Sequence, residues 1–203
     1  MSAPAHAKLL DAAVSAVRHR GYAGTSVDDI CRAAGVSKGA FFHHFRSKDD
    51  LATAAAAHFS DRADELLFAA PALQVDDPRE KVLAYLQLRR EILRGKPGDF
   101  TCYLGTIVQE AHESHPDLAR LCGEHIFAHA ARIEAMLADA KARYASEADW
   151  SPKSLALFTQ AALQGAFVLA KASGGPDVAT QCVDHLIAYV ELLLTSETER
   201  DAA

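Results

Sequence analysis

Apolar residues recur at helical spacing along nearly the whole chain, and no stretch alternates as a strand would. In residues 5 to 20, Leu9, Leu10, Ala13, Val14 and Val17 form an inward stripe that Gly21 ends. A second stripe, Val27, Ile30 and Ala34, begins behind a Ser26 cap, with Asp28 and Asp29 in the first turn where acids suit the positive helix end. Gly35 stops it. Ser37 caps a third helix, Lys38 to Phe45, whose Phe41 and Phe45 are four apart and point inward together. Ser47 caps a long helix from Lys48 to about Ala70, with Leu51, Ala55, Phe59, Leu66 and Leu67 available for burial and Pro71 at its end. Asp76-Asp77-Pro78 opens the next, to about Arg94, with Val82, Tyr85, Leu86 and Ile92 inward; Gly95 to Asp99 reads as a loop. Further helices are predicted from about Thr101 to Glu113, from Pro116 to about Tyr144, from Ser151-Pro152 to Gly174, and from Pro176 to about Thr195. The polar closing residues, Ser196 to Ala203, are expected to fray. The fold class predicted is all-α, with about nine helices.

The second and third helices, joined by the Gly35 turn, make a helix-turn-helix. Lys38 and Phe42, with Gly39 and His43 beside them, share a face of the third helix turned away from Phe41 and Phe45. The free N–H groups behind Ser37, the Lys38 charge and bare Gly39 suit a phosphate or a base edge at close approach. Lys48 is a cation at a helix N-terminus, against the dipole, so an external anion is expected near it.

Charge sharpens this picture. The net charge is −6 over 203 residues, which argues against a general nucleic-acid coat, yet residues 1 to 50 carry a small positive excess and the remainder is acidic. A mildly basic head on an acidic body would approach DNA head first. Cys31, Cys102, Cys122 and Cys182 lack the spacing of a zinc motif or a disulfide framework and read as small apolar residues of a reducing compartment. No run of about eighteen apolar residues stands out, and Met1 to Lys8 has no apolar core, so neither a membrane span nor a signal peptide is expected and a cytoplasmic location is.

Residues 8 to 51 resemble the DNA-binding domain of the TetR family of one-component transcriptional regulators. The resemblance rests on Gly21-Tyr22, Thr25 to Ile30, Ala33 to Gly39, His43-His44-Phe45, Ser47-Lys48 and Leu51. It implies a DNA-binding head over residues 1–48 and an effector-binding and dimerisation body over 49–203, with operator DNA, a small molecule and a second copy as partners and no cofactor or metal. DNA contacts carry over to Thr25, Ser37, Lys38, Gly39, Phe42, His43, His44 and Lys48. Ala40 stands where a threonine is frequent, and Phe42 where a tyrosine usually offers a hydroxyl to phosphate; Phe42 retains apolar contact with sugar or a thymine methyl.

The last two predicted helices are apolar on more than one face, and such helices need a second burial partner. Either they form one well-buried internal hairpin or, as the resemblance implies, they build a dimer across a two-fold axis through Phe158, Ala161, Ala162, Gly165, Phe167, Val168, Leu186 and Val190. The resemblance also places an effector cavity among Phe59, Tyr85, Cys102, Tyr103, Gln109, Glu110 and His125, with Tyr103, Gln109 and Glu110 as polar anchors. Residues 100 to 110 are similar to members that sense electrophiles through a cysteine; Cys102 near a helix start suits a thiolate, and a structural cysteine is the plainer reading.

The rival is an all-α enzyme built on His112, Glu113, His125 or His129. His125 and His129 are four apart and could share a metal, but no third ligand stands at readable spacing. His112-Glu113-Ser114-His115 is one residue short of a zinc-protease motif, and Pro116 breaks its helix.

Overall fold

The computed structural model describes residues 4–195, which form ten α-helices and no strand. These are α1 (Ala5–Arg20), α2 (Val27–Ala34), α3 (Lys38–His44), α4 (Lys48–Phe68), α5 (Pro78–Glu91), α6 (Pro97–Phe100), α7 (Tyr103–Ala111), α8 (Pro116–Tyr144), α9 (Pro152–Ser173) and α10 (Asp177–Leu193), with a 3-10 turn over Pro71–Leu73. The extra helix, α6, arises inside the expected loop, where Pro97 supplies a preset helical φ at a first position that needs no N–H. α7 starts two residues later than expected because Cys102 caps it, its Sγ accepting from the Gly105 N–H at 3.4 Å. The closing residues expected to fray lie outside the described residues.

The described residues divide into two compact units. The first comprises those up to Ala63 together with Pro97–Ile126. Its core holds Leu9, Val17, Ile30, Phe41, Leu51, Ala55, Tyr103, Ile107 and Cys122. Tyr103 is fully buried and satisfies its hydroxyl by donating to the Ala52 carbonyl at 3.1 Å; removal from water raises its pKa. Burial likewise pushes the Cys122 thiol up to about 12, so it packs as a neutral apolar group.

The second unit comprises Asp64–Lys96 and the described residues from Phe127 on. Leu67, Val82, Tyr85, Leu86, Ile133, Leu137, Leu163, Phe167, Leu186 and Val190 are buried. Leu66, expected inward, is half exposed; its neighbour Leu67 takes the inward position. Asp77 caps α5 by accepting from the Arg79 and Glu80 N–H groups, and at this end it also accepts from the Tyr144 hydroxyl at the end of α8. Further along, Tyr85 meets His129. α5 and α8 are therefore antiparallel, and α10 packs against both α5 and α9, with Arg90 on Asp184 and Arg89 5.7 Å from the Phe167 ring. One helix, Pro152–Ser173, is long and apolar enough to cross a membrane by length and composition alone, although it is no unbroken apolar run. Its inner face, from Leu155 to Ala170, is buried in the protein.

Candidate nucleic-acid interface and a second polar cluster

α2 is held at both ends by its own sequence. Ser26 and Asp29 cap it reciprocally, side chain to backbone in each direction. These bonds from Ser26, foremost among the causes, hold the Asp29 carboxyl below its ordinary range. Gly35 ends the helix at φ 64, ψ 36, and the Val36 N–H closes the turn on the Cys31 carbonyl at 3.0 Å. Only a residue at ease in the left-handed region makes this turn cheaply, and it sets the angle at which α3 leaves. Ser37 caps α3 by accepting from the Ala40 N–H at 3.1 Å.

α3 then separates its faces. Phe41 and Phe45 are buried, while Lys38, Gly39, His43 and His44 are exposed and Phe42 is 54% exposed. The burial of Phe41 anchors the helix; the exposed set is a basic and aromatic face of base-reading size. His6 stacks on Phe45 with ring centres 5.0 Å apart and meets His44 edge-on at 5.6 Å, fixing the end of that face from α1. Lys38 pairs with Asp28 at 2.9 Å, both more than half exposed. Such a pair contributes little and yields easily to a phosphate.

Two of the expected DNA contacts are occupied internally. Thr25 is 2% exposed, and its hydroxyl donates to the Gly21 carbonyl at 2.7 Å. Lys48 Nζ donates to the carbonyls of Tyr22 at 3.1 Å and Thr25 at 3.3 Å and lies 4.0 Å from the centre of the Tyr22 ring. The cation expected to call for an external anion is thus met by two carbonyl dipoles and a π face. Tyr22 donates its hydroxyl to Asp49, and burial, with that bond, raises its pKa.

The same loop is gripped from α7. Glu110 accepts from the Tyr22 N–H at 2.7 Å and the Ala23 N–H at 3.2 Å. Gly21 stands at φ +82, where a Cβ would come within 2.4 Å of Glu110 Oε1, so any other residue there is strained and must push the Glu110 carboxylate aside. His115 lies edge-on to the Tyr22 ring at 5.3 Å. No sequence signal marked Glu110 or His115 for this role, because their partners lie about ninety residues away and are largely backbone.

The expected effector residues are distributed unevenly. Phe59, Cys102 and Tyr103 come together in the first unit, with the Arg18 guanidinium 5.8 Å over Phe59 and the Tyr103 ring 6.0 Å from it. Burial lowers the Arg18 pKa, opposed by Cys102 and Asp99. Gln109 and Glu110 are exposed, Glu110 serving the loop and not an apolar pocket. His125 is half-buried. A void beside Tyr22, Lys48 and Tyr103 measures about 10 Å³, room for one water at most.

Tyr85 belongs to a cluster in the second unit. Its hydroxyl donates to His129 Nε2 at 2.9 Å; His129 Nδ1 bonds Asp64 at 3.2 Å; and Arg132 donates to the other Asp64 oxygen at 2.7 Å. Phe68 stacks on Tyr85 at 5.6 Å, and Arg132 covers Phe68 at 3.8 Å. Burial, aided by the Arg89 charge, lowers His129 to about 4 against the pull of Asp64, so the ring is neutral, donating to Asp64 and accepting from Tyr85. The Asp–His–hydroxyl order resembles a nucleophile relay, but Tyr85 is fully buried and its pKa is raised by that burial, so it holds and does not attack. Among the described residues no group of three His, Cys, Asp or Glu side chains is placed to hold a metal.

On α9 and α10 the apolar residues divide. Phe158, Ala161, Gly165 and Val168 are exposed and Ala162 is half-buried, whereas Phe167, Leu186 and Val190, expected at an interface, are inside their own unit. Leu157, Leu169, Tyr189 and Leu192 join the exposed face, with Tyr189 edge-on to Phe158 at 5.6 Å. The sequence reading missed these four because a helix apolar all round does not say which side its own hairpin takes.

An all-α protein with a glycine-turned helix-turn-helix, a short exposed reading helix and a larger helical remainder has the architecture of a helix-turn-helix regulator. The profile of "Bacterial regulatory proteins, tetR family" matches residues 9–55. The "Uncharacterized HTH-type transcriptional regulator YwcC" of Bacillus subtilis is 58% identical over 43 residues, 21% of this chain and 19% of that one. The "HTH-type transcriptional regulator CymR" of Pseudomonas putida is 50% identical over 44 residues, 22% of each chain. The match thus spans about a fifth of the length of these curated relatives. A solved "regulatory protein TetR" from Rhodobacter sphaeroides superposes with a TM-score of 0.81 at 25% identity, over 91% of this chain and 98% of that one. A TetR transcriptional regulator from Chloroflexus aurantiacus gives 0.78 at 25%, over 92% and 94%. Residues 9–55 are thus a DNA-binding domain of the tetR-family type, and the chain as a whole shares the fold of solved TetR regulators.

Proposed function

We propose that the protein is a cytoplasmic, homodimeric transcriptional repressor that a small-molecule effector releases from a pseudo-palindromic operator. Residues 1–48 bind DNA and residues 49–203 bind effector and the second copy. The observation that carries this reading is the division of α3, with Phe41 and Phe45 locked inside and Lys38, Gly39, Phe42, His43 and His44 presented together. Ser37, Ala40, Thr25 and Lys48 serve by placing that face. Two such heads read half-sites about 34 Å apart, or a multiple of it. The exposed stripe of Phe158, Ala161, Gly165, Val168, Tyr189 and Leu192 supports the dimer, since apolar faces of this continuity mark a partner. Release requires only that the effector prefer the DNA-incompetent state.

The test is binding of purified protein to DNA flanking its own gene. Tight binding to a fragment holding an inverted repeat, lost in a Lys38→Ala, His44→Ala variant that melts as the parent does, is expected. Equal, weak binding to every fragment counts against the regulator. Sedimentation should report a dimer, converted to a monomer by Phe158→Glu with Tyr189→Glu; an unchanged mass removes this face as the interface.

A further inference from the structure

The histidines of the protein differ in what stands beside them. His19, His58, His112, His115 and His129 each face a carboxylate, at 3.3, 2.7, 3.8, 3.8 and 3.2 Å. His6, His43 and His44 face only rings. His44 meets His43 at 5.1 Å and His6 at 5.6 Å, and His6 stacks on Phe45. All three are exposed, and among the described residues none has a hydrogen bond or a carboxylate partner. His125 and His185 also lack a carboxylate, but they touch no other ring. Only in the head are unpaired imidazoles gathered, and His6 reaches them from another helix.

The charged groups around this trio are cations or carboxylates already engaged. Lys38 on α3 pairs with Asp28. Past Phe45, the Arg46 N–H donates to Asp50, Asp49 accepts from the Tyr22 hydroxyl, and Lys48 is held by two carbonyls. On α1, Lys8 follows His6, and Asp11 binds His58 and Arg62. Protonated rings at the separations seen here repel one another, so the free head resists a charge on all three. An anion set over them relieves that repulsion and accepts from the imidazolium N–H groups, drawing protons on as it binds.

We propose that His6 joins His43 and His44 in an imidazole trio that holds DNA phosphate, and that docking takes up protons there, so that pH sets operator affinity. The operator part rests on the regulator proposed above; the phosphate part does not. A group that binds its proton more tightly in the complex than in the free protein strengthens docking as pH falls. The gain is whole below the range of the free imidazole and is lost as pH rises through that of the complex. Imidazole changes charge near neutrality, and His129, held at about 4, stays neutral through that window.

The test measures binding of the full-length protein to an operator fragment and to a random duplex, between about pH 8 and pH 6.5. Affinity for both should rise by about tenfold or more as pH falls, with the salt dependence steeper at the lower pH because imidazolium releases counterions. His6→Gln should cut the rise to about threefold or less. His6→Lys, with a fixed charge, should bind more tightly than the parent at the higher pH and show the same reduced rise. His58→Gln, which alters a histidine paired with Asp11, should follow the parent. Affinity that does not change with pH overturns the proposal and leaves the regulator standing. A His6→Gln variant that loses the same factor at both pH values, or keeps the full rise, overturns the place of His6 in the trio. A rise that depends on His6, seen on random duplex by a protein that prefers no operator, keeps the phosphate contact and sinks the regulator.

Discussion

The polar cluster of the head and that of the second unit are built from similar parts and closed to different degrees. Around Tyr22 every strong group has a mate: Lys48 has two carbonyls and a ring, Asp49 has the Tyr22 hydroxyl, and Glu110 has two backbone N–H groups. Around Tyr85 the His129–Asp64–Arg132 row is equally complete, yet the second unit also keeps buried nitrogens without hydrogen-bond partners, Arg89 Nε and Gln160 Nε2. A closed network fixes geometry, as a reading head requires.

The largest expected effect tests the closed part of the second cluster. His129 is held at about 4, below the value of about 6.5 for a free imidazole, so the unfolded chain takes up the proton first. The neutral ring's contribution is whole above pH 6.5 and is lost as pH falls toward 4, up to about 3 kcal/mol. Chemical denaturation at pH 7 and pH 4.5 should show this slope, and His129→Gln should flatten it; an equal slope in the variant would remove His129 as its source.

Next is Gly21→Ala. Strain at positive φ and displacement of Glu110 should together cost about 2 kcal/mol and weaken operator binding. Stability within error of the parent would mean that the loop rearranges freely. Tyr22→Phe removes the hydroxyl bond to Asp49 and keeps the ring under Lys48, a loss of about 1 kcal/mol in thermal melts. Smallest is Lys38→Ala, whose exposed pair with Asp28 is worth under about 0.5 kcal/mol of stability while operator affinity falls much further. Parallel losses in both quantities would make Lys38 a structural residue.

What the sequence disclosed and withheld follows from the range of the interactions. Local punctuation was readable: the Ser26 box, the Gly35 turn and the Ser37 cap lie where their spacing puts them, because each is satisfied within a few residues. Helix α6 was hidden because Pro97-Gly98 signals a turn as readily as a helix start. The internal partners of Lys48 and Glu110 were hidden because carbonyl oxygens and loop N–H groups carry no letter code; a charge met by backbone looks unmet in sequence. Phe167, Leu186 and Val190 looked like interface residues for a related reason: apolar character on every face leaves the choice of inner side to tertiary packing.

Lys48 has a further consequence, for the ions around DNA. A lysine whose ammonium is held by two carbonyls keeps its charge but is tied back from reaching toward a phosphate, and Lys38 alone of the exposed reading-helix residues carries a permanent charge. Each head should then release few counterions on docking. The dependence of log affinity on log salt should be shallow, a few units for two heads and not the ten or so of a heavily basic repressor. Recognition of this kind loses little as ionic strength rises, and most of its discrimination comes from the aromatic and imidazole edges that meet the bases.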